Sequence, residues 1–125
     1  MFSRFILIIS LKVILSISIF TTSFEIQSVR IGPNPLLRSS EGLIVNYVAS
    51  TSHTASYYLY SITGELIFQK SYNSQIPFIT NAGECQFELI NNSIIQSYPK
   101  QLYVLVMQFD NGTESEQIKK HVIIK

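Results

Sequence analysis

From Glu25 to the C-terminus, apolar residues recur at alternate positions in short runs, and each run ends in a cluster of turn-forming residues. No stretch holds a helical period for three turns. That pattern confines the chain to strands, because alternation places one face of each run on a core and the other in solvent. The composition agrees: charged residues are 14% of the chain and seven tyrosines are present, which suits hydroxyl-bearing sheet faces better than Glu/Lys helix ladders.

The runs are Ile26 to Ile31, Leu43 to Val48, Ala55 to Tyr60, Glu65 to Lys70, Cys85 to Leu89, Gln101 to Phe109 and Ile118 to Ile124. Gly32-Pro33-Asn34-Pro35 ends the first, since two prolines remove backbone donors. In the second, Leu43, Val45 and Tyr47 share a face. In the third, Ala55, Tyr57 and Leu59 share one face, and Ser56, Tyr58 and Tyr60 the other. Ser61-Ile62-Thr63-Gly64 is a tight turn in which Gly64 supplies a positive φ, so the third and fourth runs form a hairpin. Between Ser71 and Ala82 the pattern allows a loop or a weak edge strand around Ile76 to Ile79, and Ser93 to Ser97 allows one helical turn. The sixth run is the longest and most apolar, which predicts a central place. It is joined to the last by Asp110-Asn111-Gly112-Thr113, a strong hairpin signal. About seven strands with frequent turns predict an all-β, immunoglobulin-like antiparallel sandwich.

Residues 1–23 read differently. Arg4 precedes an apolar stretch interrupted by Lys12, and Thr21-Thr22-Ser23 closes it. This is the layout of a secretory leader, with cleavage expected after Ser23. An uncleaved anchor is the competing reading, and membrane association is expected only in that case. Lys12 leaves the apolar run short for a span of about 20 residues. The remaining stretch, 24–125, has the size of one sandwich of roughly 100 residues. Cys85 is the sole cysteine, so no disulfide can form within the chain. Setting aside Arg4 and Lys12 leaves seven basic residues of the nine, against eight acidic. A nucleic-acid binder would show a basic stripe.

Three pieces in order, Pro33-Asn34-Pro35, the hairpin from Tyr57 to Ile67 around Gly64, and the closing hairpin from Leu102-Tyr103 to Lys125, resemble a known pattern. They are similar to the Ig-like domain of the flagellar hook-capping protein and to the C-terminal sorting domains of the type IX secretion system. The resemblance covers about Ile26 to Lys125. It implies an exported Ig-like module with structural roles for Pro33, Asn34, Pro35 and Gly64. The Asn111-Gly112 turn falls within the closing hairpin. The chain lacks the tryptophan-glycine element that commonly follows the mid-domain hairpin in the hook-capping group, and Gln101 stands where that group carries a glycine.

Groups able to carry chemistry are few. His53 lies among Ser52 and Thr54 and is expected to be a solvated loop residue, while His121 falls in the last run. No H-x-x-H or C-x-x-C spacing occurs, so neither a metal nor any other cofactor is expected. Asp110 most simply accepts turn hydrogen bonds. Cys85 has no neighbouring cation to stabilise a thiolate and is expected to be a half-buried structural residue. Asn91-Asn92-Ser93 and Asn111-Gly112-Thr113 match the glycosylation pattern and mark exposed turns. Tyr58 and Tyr60 are the candidate partner-contact residues, weighed against a role in covering cross-strand neighbours such as Ile67. The expected function is an exported, non-catalytic module acting by protein contact, in secretion-system sorting or cell-surface association. The alternatives are a membrane-tethered or carbohydrate-binding sandwich and, with less support, a small hydrolase.

Overall fold

The computed structural model describes residues 24–72 and 83–125. The leader segment and the edge strand allowed around Ile76 to Ile79 lie outside the described residues. Among the described residues seven strands form: β1 (Ile26–Gly32), β2 (Leu43–Ala49), β3 (Thr54–Ser61), β4 (Leu66–Tyr72), β5 (Gly83–Ile90), β6 (Leu102–Asp110) and β7 (Ser115–Ile123). One helical turn, α1 (Asn92–Ile95), follows β5 and is capped by the Asn91 side chain, which accepts from Ile94 N. Two antiparallel sheets result, one ordered β1-β2-β5 and the other β4-β3-β6-β7. The expected sandwich is therefore the observed one, with β6 central as its apolar character required. Three bounds move by two residues or more: β4 runs on to Tyr72, β5 begins at Gly83 and β7 begins at Ser115, because pairing with β3, β2 and β6 extends each strand past its apolar stretch.

Alternation selects the core. Leu43, Val45, Tyr47 and Ala49 of β2 and Ala55, Tyr57 and Leu59 of β3 are buried, as are Tyr103, Leu105, Met107 and Phe109 of β6. Aromatic rings from both sheets interleave at one end: Phe109 lies 4.9 Å from Tyr47 between centroids, and Tyr57 lies 5.6 Å from Phe87 and 5.8 Å from Tyr72. Tilted and edge-on pairs of this kind contribute about 0.5–1.5 kcal/mol each beyond area burial. They fill the space without a disulfide or a tryptophan. At the other end the Tyr103 hydroxyl donates to Pro99 O at 2.6 Å. A tyrosine near the start of the penultimate strand that bonds a few residues upstream is the corner device of Greek-key sandwiches, where it fixes the crossing between sheets.

His53 corrects an expectation. It is only 3% exposed rather than solvated. Its Nδ1 bonds Thr51 O at 3.0 Å and its Nε2 bonds the Tyr47 hydroxyl at 2.6 Å. Since a carbonyl only accepts, Nδ1 carries the proton, and the Tyr47 hydroxyl donates to Nε2. The imidazole is neutral, and burial lowers its pKa below the ordinary 6.5.

The Pro33-Asn34-Pro35 segment has a definite structural task. Both prolines follow cis peptide bonds, and the Asn34 carboxamide accepts from Ile123 N and donates to His121 O, each at 3.0 Å. Two residues on, Leu36 pairs in parallel with Ile124: Leu36 N donates to Ile123 O and Lys125 N donates to Leu36 O. In a parallel ladder the preceding bonds would come from the backbone of Asn34 itself, and the side-chain amide takes their place. This covers the outer edge of β7 at its C-terminal end, where free N–H and C=O groups would otherwise invite another strand. Asn34→Ala is expected to lower stability by about 1 kcal/mol, read as a shift in urea midpoint. Asn34→Asp should cost at least as much, because the carboxylate replaces the donor facing His121 O.

Candidate interaction surface

The parity of β3 that buries Tyr57 and Leu59 turns Tyr58 and Tyr60 outward on the four-stranded sheet. Register then sets their neighbours: Tyr58 lies between Gln69 and Val106, and Tyr60 between Leu66 and Val104. Across the next ladder Val106 faces Lys119 and Val104 faces His121. Both tyrosines are half-buried, and Val106, although on the outer face, is only 9% exposed. The rings thus cover cross-strand valines and still present area to solvent. They line a shallow groove of about 480 Å³ whose wall includes Ile62, Gly64, Gln117 and Lys119.

The face has two halves. Towards the β3–β4 turn, Ile62 is 65% exposed and Leu66 46% exposed, beside the two tyrosines. Towards the β6–β7 turn the lining is polar, with Thr54, Ser56, Gln108, Asp110 and Gln117 around a second depression of about 400 Å³. Hydrophobic side chains gathered at one end of a face, rather than scattered singly, mark contact surfaces.

The other sequence-selected residues serve the frame. Gly64 adopts φ +90 in the β3–β4 turn and reaches the groove wall. Asn111 and Gly112 form the opposite turn: Asn111 Oδ1 accepts from Thr113 N at 3.0 Å and Glu114 N at 2.8 Å, and Gly112, at φ +99, donates to Asp110 Oδ1 at 2.6 Å. Pro33, Asn34 and Pro35 lie at the edge of β7 and do not line the groove.

The chemistry available to the buried groups is limited by their surroundings. His53 faces a phenol and a carbonyl, with the rings of Phe24 and Phe109 at 6.2 and 6.0 Å. Cys85 is 2% exposed, and burial pushes its thiol pKa up, so the reactive thiolate is disfavoured. Tyr47 and Tyr57 are likewise raised, each first by burial; Cys85 raises Tyr47 further while Tyr57 lowers it, and Tyr47, Tyr72 and Cys85 raise Tyr57 further. Among the described residues no three His, Cys, Asp or Glu side chains converge as metal ligands. No helix among them is long and apolar enough to cross a membrane. The burial of His53 was legible in one respect, since it continues the inward parity of Ala55, Tyr57 and Leu59 by one step.

No family model and no curated protein matches this chain. Solved structures do match in fold. Dimeric latent PorU from Porphyromonas gingivalis aligns with a TM-score of 0.55 at 13% identity, over 82% of this chain and 9% of PorU. The periplasmic chaperone SfaE aligns at 0.52 and 7% identity, over 82% of this chain and 56% of the chaperone. Parabacteroides merdae β-glucuronidase aligns at 0.51 and 9% identity, over 81% of this chain and 14% of the enzyme. The chain spans a small share of two of these proteins and about half of the third, and the likeness at such identities is one of fold: a β-sandwich similar to single domains within larger proteins.

Proposed function

We propose that this chain is an exported, non-catalytic β-sandwich module that works by protein contact, with the aromatic half of the four-stranded sheet as its contact surface. The observation that carries the reading is Tyr58 and Tyr60 standing over Val104 and Val106 beside solvent-facing Ile62 and Leu66. Buried aromatic anchors ringed by apolar side chains supply most of the energy of protein interfaces. The leader-like first 23 residues support the export part of this reading. The Pro33-Asn34-Pro35 and Gly64 pieces point to the sorting and hook-capping class, and the fold likeness to PorU and to a periplasmic chaperone supports an interaction role. Within that class we assign it to secretion-system sorting or cell-surface association.

The test is surface display of the tagged chain in a host with a working type IX system and in its secretion-deficient derivative. Display should depend on the system. Ile62→Ser, in an exposed loop, and the double variant Tyr58→Ser/Tyr60→Ser should each cut surface-associated protein by about tenfold or more, equivalent to at least 1.4 kcal/mol of contact energy. Display equal in both hosts rejects the sorting role, and unchanged association of both variants removes this face from the function. A carbohydrate-binding reading draws on Gln108, Gln117 and Lys119 beside the rings, and binding to a glycan array that both variants abolish would favour it.

A further inference from the structure

The first residues of the described domain are held in an unusual way. Three successive backbone nitrogens end on side chains: Phe24 N on Glu114 Oε2 at 3.1 Å, Glu25 N on Ser50 Oγ at 2.8 Å and Ile26 N on Glu116 Oε2 at 3.1 Å. Ser50 N returns a bond to Glu25 O at 3.0 Å. The Phe24 side chain packs on the core with its ring 6.2 Å from that of His53. Glu114 is itself positioned by the β6–β7 turn, where Asn111 Oδ1 accepts its N–H and Asn111 N donates to its carbonyl at 3.1 Å. A carboxylate also serves the internal amide of Ile26, but at the nitrogen that follows Ser23, with Thr21 two positions earlier, it stands where an ammonium would form, and a carboxylate holds an ammonium more strongly than an amide.

We propose that Glu114 is the receptor for the α-ammonium of Phe24, generated when the leader is removed between Ser23 and Phe24. This rests on the export reading above and adds what processing does to the fold. A leader peptidase adds water across the Ser23–Phe24 bond: the Ser23 carbonyl carbon takes the oxygen and leaves as a carboxylate, and the Phe24 nitrogen takes the protons and becomes an ammonium. The hydrogen bond at 3.1 Å then becomes an ion pair that ties the segment leading into β1 to the β6–β7 turn, across the two sheets. Maturation thereby strengthens an anchor that the first strand already has.

The full chain, exported and purified, tests this by three readings. Its N-terminal mass should begin at Phe24. Glu114→Gln should lower its Tm by roughly 2–6 °C, the effect of an exposed ion pair in a domain of this size, and high salt should shrink the difference. In a second exported form carrying Gly-Ser inserted before Phe24, which moves the ammonium away, Glu114→Gln should cost less than half as much. Equal losses in the two forms, or processing at another position, overturn the proposal while leaving export intact. An unprocessed chain retained in the cell overturns the export reading and this one together.

Discussion

Phe109→Ala is expected to cost about 3–5 kcal/mol, a large part of the roughly 5–15 kcal/mol that holds a domain of this size together. Phe109 has no solvent-exposed surface, and its ring meets Tyr47 at 4.9 Å, His53 at 6.0 Å and Tyr57 at 6.2 Å. These contacts come from both sheets, so truncation opens a cavity at the place where the sheets are joined, and the close packing around it relaxes only in part. Phe109→Leu keeps most of the volume and should cost about 1.5 kcal/mol or less. Urea unfolding followed by tyrosine fluorescence measures both. Equal midpoints for the two variants would show that the cluster is not the joint between the sheets.

His53 should make the domain acid-sensitive. Burial lowers its folded-state pKa below 6.5, so as pH falls the unfolded chain takes up a proton before the folded one does. The stabilisation is therefore complete above about pH 6.5 and is lost as pH falls from there through the folded-state value. His53→Ala should cost about 2–4 kcal/mol at neutral pH, because it leaves a cavity and removes the partners of the Tyr47 hydroxyl and the Thr51 carbonyl. The same variant should lose the decline in stability between pH 7 and 5. A decline of undiminished slope in His53→Ala would assign the acid sensitivity to carboxylates instead.

The Tyr57 hydroxyl offers a contrast with Tyr47. It is buried and has no hydrogen-bond partner among the described residues, whereas the Tyr47 hydroxyl is bonded to His53. The Tyr57 ring touches Tyr72, Phe87 and Phe109 and so links three strands.

What the sequence determined by itself is whatever depends on neighbours along the chain. Side-chain parity in an extended strand is local, so the inward faces of β2 and β3, the outward placement of Tyr58 and Tyr60, and the turns at Gly64 and Asn111-Gly112 were all readable from alternation and turn chemistry. What only the tertiary structure decided depends on residues far apart in sequence. Polarity suggested a solvated His53, but the ring is buried because Phe24, Tyr47 and Phe109 close over it from three separate segments. Pro33-Asn34-Pro35 read as a strand end. Its carboxamide gains a role only when β7, almost 90 residues later, presents His121 O and Ile123 N at the right spacing. Glu114 meets the first residue of the domain only because the pairing of strands brings the β6–β7 turn to it, 90 positions along the chain. Alternation specifies which side of a strand faces the core; which strands meet, and which polar groups find one another across them, is set by the packing of two sheets whose contacts span the whole chain.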